Sequence, residues 1–307
     1  MRNRGSGKRV IDADLFGIFS DGKLLEHLPK QASGVSHLDA RRFFLARQRE
    51  FLHTALMNET AASSRAPGVF DFVVREAAAR ARVMRLVEKF NEIGGSYHQL
   101  DFGGGLLLGG HYDMKKYLPY YRFPEDLQGK QVLDVGTGPS GFFALECCRR
   151  GAAVTAIDIW EDQFLEQLIQ EADLPIRYLV KSIYDLDADF GQFDLVVCGS
   201  LLVHLPDQFG AIQRLRSVCR HQAVISTGCP EDSASSTRAI CEFIGQKAVD
   251  GEIPYWAYWN VSATALEKML IAADFRQVEG MDHFALTTEP TAPMFYQTPH
   301  VIATGIV

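Results

Sequence analysis

A chain of 307 residues with 47% apolar and 22% charged residues has enough apolar side chains for a full core, and reads as a globular protein of one large domain or one domain plus an extension. A formal net charge of −7 gives no global attraction to nucleic acid, and no apolar run reaches the roughly 18 residues of a membrane span. The basic start, Met1 to Arg9, lacks the apolar stretch of a secretion signal, so a cytoplasmic location is expected.

Residues 11–34 mix short apolar runs with Gly and Pro and carry only weak helical patterns. From Leu38 to Leu56 the side chains of Phe44, Gln48, Phe51, Leu52 and Ala55 share one side, which predicts an amphipathic helix; Arg41, Arg42, Arg47 and Arg49 opposite read as a solvated face. A polar gap, Asn58 to Gly68, precedes a second long helix with Asp71 as its N-cap and Gly94-Gly95 as its stop. Val73, Ala77, Met84, Val87 and Phe90 supply its apolar side. Residues 1–95 thus form a helical N-terminal extension, expected to pack on the following domain or on a second copy in a homodimer.

Residues 96–127 connect this extension to the rest. Tyr97 to Phe102, then Gly103-Gly104-Gly105, then Leu106 to Asp113 predict a β-hairpin. Its glycines, aromatics and histidines exceed what a linker needs, so the stretch is expected to wall an active site, with Tyr97, His98, His111 and Tyr112 as the groups it would offer. An ordinary hairpin with surface histidines is the alternative.

From residue 128 the pattern alternates strands and helices. Val132 to Gly141, V-L-D-V-G-T-G-P-S-G, is a strand, a glycine turn and the start of a helix. Gly136, Gly138 and Gly141 match G-x-G-x-x-G, which by itself suggests a dinucleotide with its pyrophosphate on the helix N-terminus. Asp134 at the mouth of the turn would repel pyrophosphate, and Pro139 removes one N–H donor. The pair favours S-adenosyl-L-methionine, which carries an ammonium and a sulfonium, over NAD; Asp134, Gly136, Thr137 and Gly138 are the residues expected around it. Asp158 ends the second strand, 24 residues after Asp134, where an acid accepts from two ribose hydroxyls. Ile159 and Trp160 follow it and can cover an adenine face. Ser182, Ile183 and Tyr184, after a third strand over Ile176–Val180, can offer backbone groups to the same ring. Gly199 and Ser200 end a fourth strand beside the position expected for the sulfonium, and His204, a turn further on, is a candidate general base.

A helix is predicted over Asp207–Val218, a fifth strand over Ala223–Thr227, and a helix around Thr237–Asp250. Pro254 to Asn260 holds four aromatics in five residues, and there Trp259 and Asn260 are the candidate acceptor contacts, Asn260 also serving as cap of a helix over Ser262–Ala273. Arg276–Leu286 and His300–Gly305, with no helix between them, predict an antiparallel hairpin at the sheet edge. The six cysteines, at 147, 148, 198, 219, 229 and 241, form no C-x-x-C pair and read as buried thiols, with no metal site expected.

From Asp126 to its end the chain resembles class I S-adenosylmethionine-dependent methyltransferases. More narrowly, it resembles the family around the tRNA wobble-uridine carboxymethyltransferase and its small-molecule methyltransferase relatives. The likeness is carried by Pro124 to Lys130 before the glycine turn, Arg149 to Ala152 after it, Gly199 to Leu205, and upstream Tyr97-His98, Asp101-Phe102 and Gly110 to Asp113. The resemblance implies an α/β fold: a Rossmann-like seven-stranded sheet of order 3-2-1-4-5-7-6, strand 7 antiparallel, in residues 128–307. It implies that Asp134, Gly136 and Gly138 hold the methionine end and Asp158 the ribose. Val203 stands where the tRNA enzymes have a tyrosine of their carboxylated cofactor site, so a small-molecule acceptor is expected rather than tRNA. The expected reaction is in-line methyl transfer, with His204, His98 and Tyr97 as catalytic candidates and His111, Tyr112, Trp259 and Asn260 facing the acceptor. The alternatives are tRNA modification, cyclisation of S-adenosylmethionine to azetidine-2-carboxylate and methylthioadenosine, and a module that binds the cofactor without turnover.

Overall fold

The computed structural model describes residues 68–249, 253–290, 292 and 295–307. The expectations for residues 1–67, the helix over 38–56 and its arginines among them, lie outside these residues.

The first described elements are a 3-10 turn at Asp71–Val74 and helix α1, Ala77–Glu92. This corrects the single helix predicted from Asp71. The break at Arg75-Glu76 resets the helical phase, so Ala79, Val83, Leu86, Val87 and Phe90 are buried, whereas Ala77 and Met84 are exposed. Four short strands follow: β1 (Ser96–His98), β2 (Leu100–Asp101), β3 (Leu107–Leu108) and β4 (Gly110–Tyr112). β2 and β3 pair antiparallel around Gly103, Gly104 and Gly105, whose φ angles of 76°, 59° and 78° suit residues without a Cβ. β1 and β4 pair parallel, joining His98 to Tyr112. A short helix, α2 (Leu118–Tyr121), closes the connector.

The large sheet is built from β5 (Gln131–Val135), β6 (Ala153–Asp158), β7 (Ile176–Val180), β8 (Phe193–Gly199), β9 (Cys219–Gly228), β14 (Gln277–Thr287) and β15 (Gln297–Ile306). Its order is β14-β15-β9-β8-β5-β6-β7. The five strands from β5 to β9 run parallel, and β15 is antiparallel to both β9 and β14. Counted along the chain the order is 3-2-1-4-5-7-6, as the resemblance implied. Helices α3 (Phe142–Arg149), α4 (Gln163–Ala172) and α5 (Gln208–Val218) make the parallel crossovers, and α6 (Ala263–Ala272) leads into β14.

Strand side chains alternate between two cores, as a period of two demands. Val132, Val154, Leu195, Val197, Val224 and Ile302 face one cluster with α3, α4, α1 and the connector. Leu133, Val196, Cys198, Ile225 and Val301 face the other with α5 and α6. α1 lies on α4, where the Phe90 and Phe164 rings meet edge to face at 5.1 Å and Arg82 pairs with Glu171 at 2.9 Å. Helix α1, within the described part of that extension, therefore packs on the sheet domain.

The helix predicted around 237–250 is replaced by strands. β10 (Cys241–Phe243) and β11 (Gln246–Val249) pair antiparallel with β13 (Trp259–Val261) and β12 (Ile253–Trp256). Gly245, at φ 71°, turns the chain between β10 and β11, and the aromatic and β-branched residues around it favour extended pairing over helix. Asn260 lies within β13; the cap of α6 is Ser262, whose hydroxyl accepts from the Ala265 N–H at 3.3 Å.

Candidate active site

β6 and β8 flank β5 on opposite sides, so the winding of the sheet reverses at β5 and leaves a crevice at the carboxyl ends of these strands. The glycine turn 136–141 emerges there. Its backbone donors point inward: the N–H groups of Gly136 and Thr137 both donate to the Ile157 carbonyl, at 2.9 and 3.2 Å. Gly138 N–H donates to Asp158 Oδ2 at 3.1 Å, Pro139 has no N–H, and Ser140 N–H donates to Asp162 Oδ2 at 2.6 Å. From Gly136 to Ser140 every amide N–H is spent on a protein acceptor, which is the opposite of a phosphate-binding nest.

Acids brace the turn from below. Asp134 is fully enclosed, so its place is beneath the turn and not at its mouth as expected. Its Oδ2 accepts from the Thr137 hydroxyl at 2.6 Å, which turns the Thr137 side chain inward, and its Oδ1 has no hydrogen-bond partner among the described residues. Burial pushes the Asp134 pKa up to about 7, and the nearby Asp158 carboxylate adds to the shift. Burial likewise raises Asp162 to about 6; its Oδ1 caps α4 by accepting from Leu165 N–H at 3.0 Å. Asp158, half-buried, accepts from Gly138 N–H and, at 3.3 Å, from Trp160 N–H. Each of these bonds takes one lone pair on a different oxygen, so both oxygens retain capacity for hydroxyl donors.

Around this centre the predicted contacts fall on the crevice rim. Ile159 is 56% exposed beside Asp158, and Trp160 is half-buried behind it. The 3-10 turn Ile183–Asp185 follows β7, with Ser182 Oγ accepting from Tyr184 N–H at 3.2 Å. Gly199 admits the Phe143 ring so closely that a methyl group there would sit 2.3 Å from it. Ser200 adopts φ 57° and donates its N–H to both the carbonyl and the hydroxyl of Ser226, each at 3.0 Å. The fully buried Tyr121 hydroxyl completes that junction, 2.8 Å from Ser226 Oγ. Tyr121, Ser226 and Asp162 were not foreseen. A capping pattern, an acid three residues before Leu165, could have revealed Asp162; nothing local marks Tyr121 or Ser226.

Two groups of side chains flank the crevice. On one side Tyr97 packs against His98, His111 and Tyr112, at ring separations of 4.9, 6.1 and 5.0 Å. The connector thus brings these four rings into one cluster. Burial holds both imidazoles below their ordinary pKa, His98 at about 3, and raises the Tyr97 phenol, so the cluster is uncharged at neutral pH. A group with a pKa of about 3 is a poor proton acceptor there, which counts against His98 as a general base. On the other side the 3-10 turn Leu202–His204 carries His204, half-buried. Tyr258 N–H donates to the Val203 carbonyl at 2.8 Å, and the Trp259 indole donates to the Pro206 carbonyl at 3.1 Å. Asn260 Oδ1 would meet a methyl group placed on Gly228 at 3.0 Å, which sets it at the carboxyl end of β9. The structure thereby gathers His204, Trp259 and Asn260 on one rim and Tyr97, His98, His111 and Tyr112 on the other. Among the described residues no cluster of His, Cys, Asp or Glu has the arrangement of a metal site, and no helix is long and apolar enough to cross a membrane.

Residues 133–227 match a family model described as a methyltransferase domain. The matched segment runs from β5 to β9, the parallel half of the Rossmann-like sheet with the glycine turn and the crevice. Among similar curated proteins is the ubiquinone biosynthesis O-methyltransferase of Xanthomonas oryzae pv. oryzae (strain PXO99A), 37% identical over 99 residues, which are 31% of this chain and 41% of that protein. The enzyme of the same name from Azotobacter vinelandii (strain DJ / ATCC BAA-1303) gives the same figures. The match thus spans about two fifths of the length of these curated relatives. Among solved structures, the magnesium protoporphyrin IX methyltransferase from Synechocystis PCC 6803 with bound S-adenosylmethionine is 18% identical at a TM-score of 0.41, over 62% of this chain and 77% of that one.

Proposed function

We propose that the protein transfers a methyl group from S-adenosylmethionine to a small-molecule acceptor. The observation that carries this reading is the inward commitment of every amide from Gly136 to Ser140, together with the acids beneath them. Such a turn offers a pyrophosphate no donor and a cationic ligand a favourable field. Asp158, oriented by two backbone N–H groups, fits a ribose diol, and the exposed Ile159 side chain fits the adenine above it. Asp134 and Thr137 hold the turn in shape; being enclosed, they act on the ligand through the backbone and the field, not by contact.

When bound, S-adenosylmethionine supplies an electrophilic methyl group on a sulfonium. The chain's own contribution is to set an acceptor in line with it in a water-poor crevice and to take up the acceptor's proton. Gly199 and Ser200, fixed by Phe143 and Ser226, shape the floor. The ring faces of Tyr97 and Tyr112 present π-electron density to a cationic centre. His204 is the proton acceptor, with Trp259 and Asn260 lining the acceptor side. The curated relatives are O-methyltransferases by name, which makes a hydroxyl the first acceptor group to try. The finer resemblance to tRNA-modifying enzymes lacks a supporting observation of this kind, so a small molecule is the preferred acceptor.

Incubation with S-adenosylmethionine and a panel of small hydroxylated, amino and carbon-acid acceptors, with the nucleoside product identified by mass, tests the reading. S-adenosylhomocysteine formed only with an acceptor supports it. Methylthioadenosine without acceptor would redirect it to cyclisation, and no product at all would leave a binding module.

A further inference from the structure

His98 is 8% exposed, and its Nδ1 is buried without a hydrogen-bond partner among the described residues. Buried ring nitrogens in folded proteins nearly always have partners, so an orphan of this kind asks for an explanation. The position of the ring is not incidental. Its Cε1, the carbon between the two nitrogens, lies 3.5 Å from where a Cβ on Gly138 would be, so the nitrogen edge faces the glycine turn. The backbone of the same residue is latched to that turn: the His98 carbonyl accepts from the Ser140 hydroxyl at 3.1 Å. Pairing of β1 with β4 and the ring contacts with Tyr97, Phe142 and Phe143 hold the imidazole in place.

A ligand whose amino-acid end lies over the turn carries an α-carboxylate. It finds no donor in the backbone from Gly136 to Ser140, since each amide there is committed inward or absent. The acids below make an unpaired carboxylate costly at this spot. We propose that His98 is a binding residue for the α-carboxylate of the methyl donor: the sealed Nδ1 keeps its lone pair, and Nε2, the other nitrogen of the edge that faces the turn, carries the N–H that donates the hydrogen bond the turn cannot. This rests on the reading of the site as one for S-adenosylmethionine. Burial, with the neighbouring His111 adding to it, keeps the imidazole neutral through the physiological range, and a neutral imidazole carries one N–H as one of its two tautomers. A Cβ on Gly138 would lie 3.5 Å from Cε1, an ordinary contact, so the ring rests directly beside the turn.

The test is calorimetric binding of three nucleosides to the full chain, with wild type and His98→Ala compared. S-adenosylhomocysteine has the whole amino-acid end, S-adenosyl-3-thiopropylamine lacks only the carboxylate, and methylthioadenosine lacks both groups. One hydrogen bond to a charged group corresponds to a loss of roughly 10- to 100-fold in affinity. That loss is expected for S-adenosylhomocysteine alone. Equal weakening of all three, or of none, would overturn the proposal. If His98→Ala does not fold, His98→Gln and His98→Asn decide: Gln sets an amide near the Nε2 position and keeps the affinity, Asn reaches only toward Nδ1 and loses it, and equal affinities in the two overturn the assignment. Failure of the wild type to bind any of the three nucleosides would instead remove the reading of the site on which the proposal rests.

Discussion

The two rims of the crevice are built on different principles. On the donor side, backbone and buried acids do the positioning: Gly136, Thr137, Gly138 and Ser140 each spend an amide on β6 or Asp162, and little depends on a mobile side chain. On the acceptor side the candidate groups are side chains on a short turn and a ribbon, held by single bonds such as Trp259 to Pro206 and Asn260 to Glu242. A phosphate site would have its amides facing out. Under the proposed function, amides committed to protein acceptors leave the donor site to recognise shape and positive charge, and selection of the acceptor falls to replaceable side chains.

Substitutions that separate the two rims should separate kcat from donor affinity. The largest effect is expected from His204→Ala, a fall of roughly 10²- to 10⁴-fold in kcat if this group removes the acceptor proton, with S-adenosylhomocysteine affinity unchanged by calorimetry. A parallel loss of nucleoside binding would show that His204 belongs to the donor rim. Asp158→Ala should do the reverse, weakening nucleoside binding by on the order of 100-fold through two lost ribose hydrogen bonds. If affinity held, the ribose would have to lie elsewhere. Smaller again, Trp259→Leu is expected to raise the acceptor KM by about 10-fold while the donor KM stays put; equal changes in both would join the rims into one site.

Tyr121→Phe should cost about 1 kcal/mol, read as a lowered unfolding midpoint, because it leaves Ser226 Oγ short of one partner under Ser200. The least dramatic effect is on pH. The Asp134 and Asp162 carboxyls are raised by burial to about 7 and about 6, so the folded state holds more protons than the unfolded one between about pH 4 and pH 7. Their contribution to stability is complete below the unfolded pKa and is lost as pH rises through the folded one. The unfolding midpoint of the ligand-free protein should therefore fall from pH 5 to pH 8 relative to Asp134→Asn, and a slope unaffected by that substitution would remove Asp134 as its source.

How much of this was legible in the chain depended on whether an element announces itself locally. Strand β7 fell on the residues predicted for it and β5 on the start of the predicted strand-turn-helix, because apolar runs bounded by Gly, Asp and Pro leave little freedom. Asp158 was found from its place at a strand end. The region 237–250 failed: its periodicity suits either state, and pairing with β12 and β13, which no local signal encodes, decided for strands. The enclosure of Asp134 was equally invisible, since the same letters describe an acid above or below the turn. The Tyr121–Ser226–Ser200 junction joins residues 105 and 26 positions apart in the chain, and such a contact exists only after folding.

The ribbon of β10 to β13 enters the chain after β9 and leaves it at Ser262, before α6. The Ser262 hydroxyl closes that loop by receiving the Ile240 N–H at 3.0 Å and donating to the Arg238 carbonyl at 3.0 Å, so the insertion begins and ends at one clasp. Such a clasp makes the ribbon an exchangeable cassette. A different ribbon spliced between residues 238 and 262 would give the same donor site a new acceptor wall, a route by which one scaffold acquires many substrates without altering the glycine turn.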